Sequence, residues 1–151
     1  RAKHTTDITS SGFIQRAFDI YLRKKYWKEH IENIKFEYGE KYNLLLNEIK
    51  CLEKHNITFT KPEGGLSLWL KLPNEIDSLE LYNECFKNNV LIVPGKIFFI
   101  GDIENQFTNY IRLSFGSVSK YNIVEGIKVI DESIHNLKGD SFPSTKYIPL
   151  I

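Results

Sequence analysis

The stretch Tyr110-Ile111-Arg112-Leu113-Ser114-Phe115 limits the fold more than any other part of the chain. Its residues alternate, with Ile111, Leu113 and Phe115 to one side and Tyr110, Arg112 and Ser114 to the other. That is the period of a half-buried strand. Leu66–Leu72 repeats the pattern, setting Leu66, Leu68, Leu70 and Leu72 against Ser67, Trp69 and Lys71. Two such strands call for a sheet with one face in a core and the other open. On the open face stands a guanidinium, the group best shaped to grip a carboxylate or phosphate with two parallel hydrogen bonds. A charge on a strand is costly to bury without a partner. From pattern alone, a structural ion pair and an anion site for Arg112 are evenly matched.

The remaining chain supplies helices. Thr9, Ser10 and Ser11 offer N-cap oxygens before a helix over about 12–26, with Ile14, Ala17, Phe18, Tyr21 and Leu22 on one face. A second helical period runs over 28–54, from Ile31 and Ile34 to Ile49 and Leu52, roughly 40 Å of helix. Gly39 marks a possible bend within it, and His55-Asn56 ends it. Ile57–Thr60 reads as a short strand, Lys61–Gly65 as a turn, and Asp77 with Glu80 as a capping box. The capped helix spans 78–88, with Tyr82, Cys85 and Phe86 inward. Val90–Val93 is apolar throughout, as in a strand buried on both faces. Ile97–Ile100 is apolar again, and 101–109 forms a polar loop. A last helix follows Ser119 as N-cap and carries Ile123, Ile127, Ile130, Ile134 and Leu137, with Gly139 closing it. Residues 140–151 have no period.

This order predicts an α/β fold, more narrowly an α+β two-layer domain. A small mixed or antiparallel sheet carries helices on one face, and two connecting helices precede it. The expected divisions are connecting helices over 1–54, the small domain over 55–139, and a tail over 140–151.

The chain has 151 residues and a formal net charge of +1, with 42% hydrophobic and 26% charged residues. Such a balance gives a folded domain without the basic stripe of a nucleic-acid binder. No apolar run approaches membrane-span length, and no signal peptide stands at the start. Cys51 and Cys85 lack ligand spacing and read as reduced thiols of a cytoplasmic protein. His4, His30, His55 and His135 form no metal pattern. The chain contains no Met and begins at Arg1, which fits a processed or partial product.

Few motifs offer chemistry. Ser117-Val118-Ser119-Lys120 matches S-x-x-K, but lacks the S-D-N and K-T-G partners of that mechanism. It reads as a helix cap. Gly64-Gly65 is not followed by G-K-[ST] and is a turn. Asp131-Glu132 lies on a predicted helix surface and reads as solvated. No nucleophile with its base can be assembled, so no catalytic residue is assigned.

Taken together, several ordered stretches resemble the C-terminal part of fold type I, pyridoxal-phosphate-dependent aminotransferases. They are Pro62–Pro73 (PEGGLSLWLKLP), Val90–Phe98 (VLIVPGKIF), Ile111–Phe115 (IRLSF) and Ile123–Ile127 (IVEGI), with Gln15-Arg16-Ala17 and His30–Tyr38 upstream. The likeness covers about residues 5–137. It implies that Arg112 binds the α-carboxylate of an amino-acid substrate or effector, and that Pro94, Gly95 and Phe98 belong to a loop near the substrate. It also implies that Thr9 and Ser10 lie where some relatives approach the cofactor phosphate of a neighbouring subunit. The family's cofactor lysine, pyridinium-pairing Asp and stacking aromatic lie upstream of everything in this chain. The resemblance therefore implies pyridoxal 5'-phosphate in a parent protein and none held by this chain alone. It implies a missing large domain and an amino-acid ligand as partners, a homodimeric parent, and no direct contact with nucleic acid or membrane. The parent resembles a MocR/GntR-type transcription regulator somewhat more than a free aminotransferase. A stand-alone interaction module is the third reading.

Overall fold

The computed structural model describes residues 11–100 and 108–139. Thr9, Ser10 and the 140–151 tail lie outside the described residues. Two compact units divide after Gly39.

In the first unit, α1 spans Gly12–Arg23 and carries no buried residue. Its expected apolar face is uncovered, with Ile14, Phe18 and Leu22 exposed. The helix stops sooner than the period suggests, because Lys25 takes a left-handed φ of 59°. Helix α2 then runs from Tyr26 to Glu48, across the boundary between the units.

In the second unit the helical stretch continues as a 3-10 helix, Ile49–His55, stopped by Asn56 at φ 63°. Residues 40–54 pack with the sheet, since Leu45, Ile49 and Leu52 sit in its core. The sheet has four strands: β1 Thr58–Phe59, β2 Ser67–Lys71, β3 Val93–Pro94 and β4 Tyr110–Ser114. Their order is β1-β2-β4-β3, and every pairing is antiparallel. In the turn before β2, Gly65 supplies a φ of 92°, a conformation open to glycine at no steric cost. Tyr42 Oη donates to the Pro62 carbonyl of the same turn at 3.0 Å.

Helix α3, Ser78–Lys87, begins at Asp77, whose carboxylate accepts from the Leu79 and Glu80 amides at 2.7 and 3.4 Å. Helix α4 covers Lys120–Gly139. Ser119 Oγ accepts from the Asn122 amide at 3.1 Å, the expected cap. The inward residues Leu68, Leu70, Ile111, Leu113 and Phe115 join Ile123, Ile127, Ile130 and Ile134 of α4 in one buried cluster. Leu81 and Cys85 of α3 complete it. The alternation of both long strands thus sorts into a buried face and an open one.

Two local expectations need correction. Val90–Val93 is not a doubly buried strand: Val93 alone of these four pairs in the sheet, beside Pro94, and Leu91 is exposed. The amides of Asn88, Asn89 and Val90 are tied to carbonyls of α3, and Asn89 takes φ 61°. The backbone is therefore still closing the helix where a strand would start. The apolar stretch Ile97–Ile100 takes no part in the sheet pairing. Gly95–Phe98 forms a 3-10 turn, and Ile97 and Ile100 face outward. In α3, Leu81 is fully buried and Phe86 exposed, so the inward stripe lies around Leu81 and Cys85. Among the described residues, no helix is long and apolar enough to cross a membrane.

Candidate functional site

The open face of the sheet is organised by strand register. Trp69 of β2 lies opposite Arg112 of β4, and Val93 of β3 lies opposite it on the other side. Arg112 therefore stands in the middle of a row, half-buried by its neighbours. Asn109, one residue before β4, anchors the start of that strand. Its buried side-chain amide donates to the Leu72 carbonyl at 2.9 Å and to Asn74 Oδ1 at 3.1 Å.

An aromatic ring lies against the guanidinium and is itself packed among other rings. Its central carbon lies 4.8 Å from the centroid of the Phe98 ring. Trp69 meets Phe98 edge-on at 5.6 Å and stacks with Tyr110 at 5.8 Å. Phe99 touches both Trp69 and Tyr110. Arg112 Nε is sealed from solvent and has no hydrogen-bond partner. Among the described residues, Arg112 makes no ion pair and no side-chain hydrogen bond. Leaving a buried donor unmet costs about 1–3 kcal/mol. A cation over an aromatic ring returns only about 0.5–2 kcal/mol. A carboxylate would meet the guanidinium with two parallel hydrogen bonds.

The turn that carries Phe98 is set by its sequence. Pro94 ends β3, and Gly95 packs so tightly on β4 that an added Cβ would lie 2.6 Å from Tyr110 Cβ and 2.8 Å from its carbonyl oxygen. In a 3-10 helix, residues three apart eclipse. Phe98 thus returns to the side of Gly95, above β4. Pro94, Gly95 and Phe98, expected as a substrate-side loop, lie in one turn beside Arg112.

Other candidates resolve into structure. Lys120 Nζ pairs with Glu40 at 2.9 Å while Ser119 caps α4, so the S-x-S-K stretch is architectural. Asp131 is not simply solvated. Its two oxygens take His55 Nε2 at 2.8 Å and Lys54 Nζ at 2.7 Å, joining the 3-10 helix to α4. Burial pushes the Asp131 carboxyl up, but the hydrogen bonds from Lys54 and His55 outweigh it, and the net shift is downward. Residues 76 apart form this link, which no local period could reveal. Burial pushes both thiols, Cys51 and Cys85, above their ordinary value, which favours the protonated thiol over the thiolate. Among the described residues, no three His, Cys, Asp or Glu side chains gather as a metal group.

No protein-family profile matches the chain. Individual proteins do. The chain is 31% identical over 133 residues to the aromatic-amino-acid aminotransferase 1 of Thermococcus litoralis, covering 88% of this chain and 31% of that protein. It is also 31% identical over 118 residues to the HTH-type transcriptional regulator NorG of Staphylococcus aureus, covering 78% of this chain and 25% of the regulator. The chain thus spans under a third of the length of these curated relatives. Among solved structures, the multiple substrate aminotransferase of Thermococcus profundus superposes with a TM-score of 0.77 at 29% identity, over 91% of this chain and 34% of that one. The α-aminoadipate aminotransferase LysN of Thermus thermophilus, solved with N-(5'-phosphopyridoxyl)-L-leucine, gives a TM-score of 0.74 at 25% identity, with 91% and 34% covered.

Proposed function

We propose, for a chain that is homologous to aminotransferase-like proteins in sequence and fold, that it supplies the carboxylate-binding half of an amino-acid site. The observation that carries this reading is the Arg112 guanidinium on the open face, braced by the Phe98 ring and without an ion-pair partner among the described residues. In this reading the ligand's α-carboxylate docks on Arg112 through two parallel hydrogen bonds. The described residues fit that end of the ligand. At the one lysine motif the sequence raised, Lys120 is already paired with Glu40.

The amino end of the ligand belongs to a large cofactor-binding domain carried by a parent protein. Pyridoxal 5'-phosphate, when bound there, supplies the electron sink. This chain's part is to hold the carboxylate and to close over the ligand, keeping the two ends aligned. The uncovered apolar face of α1 supports a partner surface of this kind, whether the large domain or a second subunit of a homodimer. The proposed setting is the cytoplasm, with both thiols reduced.

We read the parent as a GntR/MocR-type regulator, in which Arg112 holds an amino-acid effector. The long helix with His30 and the Gly64–Trp69 segment support this, together with similarity to an HTH-type regulator. The second reading is a free aminotransferase, supported by the match to an enzyme over 133 residues. The codons upstream of this chain decide between them: a winged-helix coding region means a regulator.

The binding test uses the parent protein with Arg112→Gln. Losing one side of a desolvated charge pair costs about 2–5 kcal/mol. Affinity for L-amino acids should fall at least about thirtyfold, the lower end of that range. Unchanged affinity removes the assignment.

A further inference from the structure

We propose that Phe98 is a positioning residue: its ring is the platform that fixes which edge of Arg112 meets the ligand. The inference rests on the carboxylate reading of Arg112 and adds a division of labour within the site. A guanidinium has two faces, an Nε edge and an outer edge carrying the paired Nη donors. In this protein the Phe98 ring lies under the cation at 4.8 Å, and the Nε edge is sealed from water. The outer Nη edge is what remains for a ligand, and its two Nη donors suit a bidentate carboxylate.

The kind of platform matters. A carboxylate from the protein would also hold Arg112, but it would occupy the same donors that the ligand needs. An aromatic ring holds the cation through its π-face and consumes no hydrogen-bond donor. Phe98 is in turn held from the side. Trp69 meets it edge-on at 5.6 Å with planes at 75°, a favourable aromatic geometry. Trp69 itself lies directly across the sheet from Arg112 and stacks on Tyr110. Gly95, pressed against Tyr110, starts the turn that carries Phe98. Tyr110, Trp69, Phe98 and Arg112 thus form a chain of ring contacts ending at the cation.

Phe98 is 45% exposed, so replacing it leaves the core intact. The test uses this chain labelled with ¹⁵N-arginine, as wild type, Phe98→Leu and Phe98→Tyr. Two quantities are read: the order of the Arg112 Nε–H bond without ligand, and the Kd for L-leucine from millimolar titration. Phe98→Leu should lose the Nε–H order and raise Kd about two- to thirty-fold, the range of a cation–π contact. Phe98→Tyr should restore both. Order or affinity retained in Phe98→Leu overturns the proposal, and so does failure of Phe98→Tyr to restore them. Order lost in Phe98→Leu and regained in Phe98→Tyr, with no L-leucine bound even by the wild type, supports the platform and instead overturns the carboxylate reading of Arg112.

Discussion

The guanidinium carbon of Arg112 lies 4.8 Å from the centre of the Phe98 ring, and the neighbouring Nε is buried with no acceptor among the described residues. A strand arginine kept for stability would be paired. Among the described residues this one is braced by a ring and not by a carboxylate.

The first prediction follows from that imbalance. Arg112→Met removes the unmet donor and keeps an apolar side chain of similar reach. Losing the ring contact costs about 0.5–2 kcal/mol, and relieving the buried donor returns about 1–3 kcal/mol. Urea denaturation should therefore show a variant about as stable as the wild type. A loss above about 2 kcal/mol would reveal a structural partner for the charge and favour the ion-pair reading.

Gly95 should tolerate no side chain. A Cβ there meets both the Tyr110 side chain and its backbone carbonyl within 2.8 Å, and a backbone atom in a paired strand cannot retreat cheaply. Gly95→Ala should cost about 1–3 kcal/mol, the scale of overpacking. The same substitution should loosen the Phe98 turn, seen as a changed Trp69 fluorescence. An unchanged urea midpoint would refute the close approach.

The Asp131 link should appear as acid sensitivity. Its folded pKa lies below the ordinary value of 3.8 because the bonds from Lys54 and His55 outweigh burial. A carboxyl shifted down contributes stability that is present above its unfolded pKa and lost as pH falls through its folded one. Wild type should thus exceed Asp131→Asn in stability above about pH 5, with the gap closing below about pH 4. Thermal melts across that range check the sign. A gap that widens on acidification contradicts the network.

Core substitutions give the scale against which these effects are judged. Ile111 is fully buried on the inner face of β4, one residue from Arg112. Ile111→Ala should cost about 2–5 kcal/mol. A cost below about 1 kcal/mol would place the inner face of the sheet elsewhere.

Much of this was readable in the residues alone, where one periodic rule governed. The alternation of Leu68–Leu72 and Ile111–Phe115 marks the buried face, and Asp77 and Ser119 mark two helix starts. The rest depends on contacts between distant residues. Ile97–Ile100 is apolar, but apolarity alone does not say whether a segment pairs; Pro94 and the tight seat of Gly95 open a 3-10 turn over Gly95–Phe98 there. His55 and Asp131 meet across 76 residues, so each looks idle in its own helix. Arg112 was identifiable as a cation on an open face. Its ring platform was not, because the cation–π contact appears only after the Phe98 turn folds over β4.

The central claim is that Arg112 receives the ligand's carboxylate. It is tested most directly by titrating ¹⁵N-arginine-labelled protein with L-leucine and, separately, with L-leucinamide, which lacks the carboxylate. L-leucine should shift the Arg112 Nε and Nη resonances in a saturable way, while leucinamide leaves them in place. Equal shifts with both ligands, or L-leucine binding that leaves Arg112 unmoved, would contradict it.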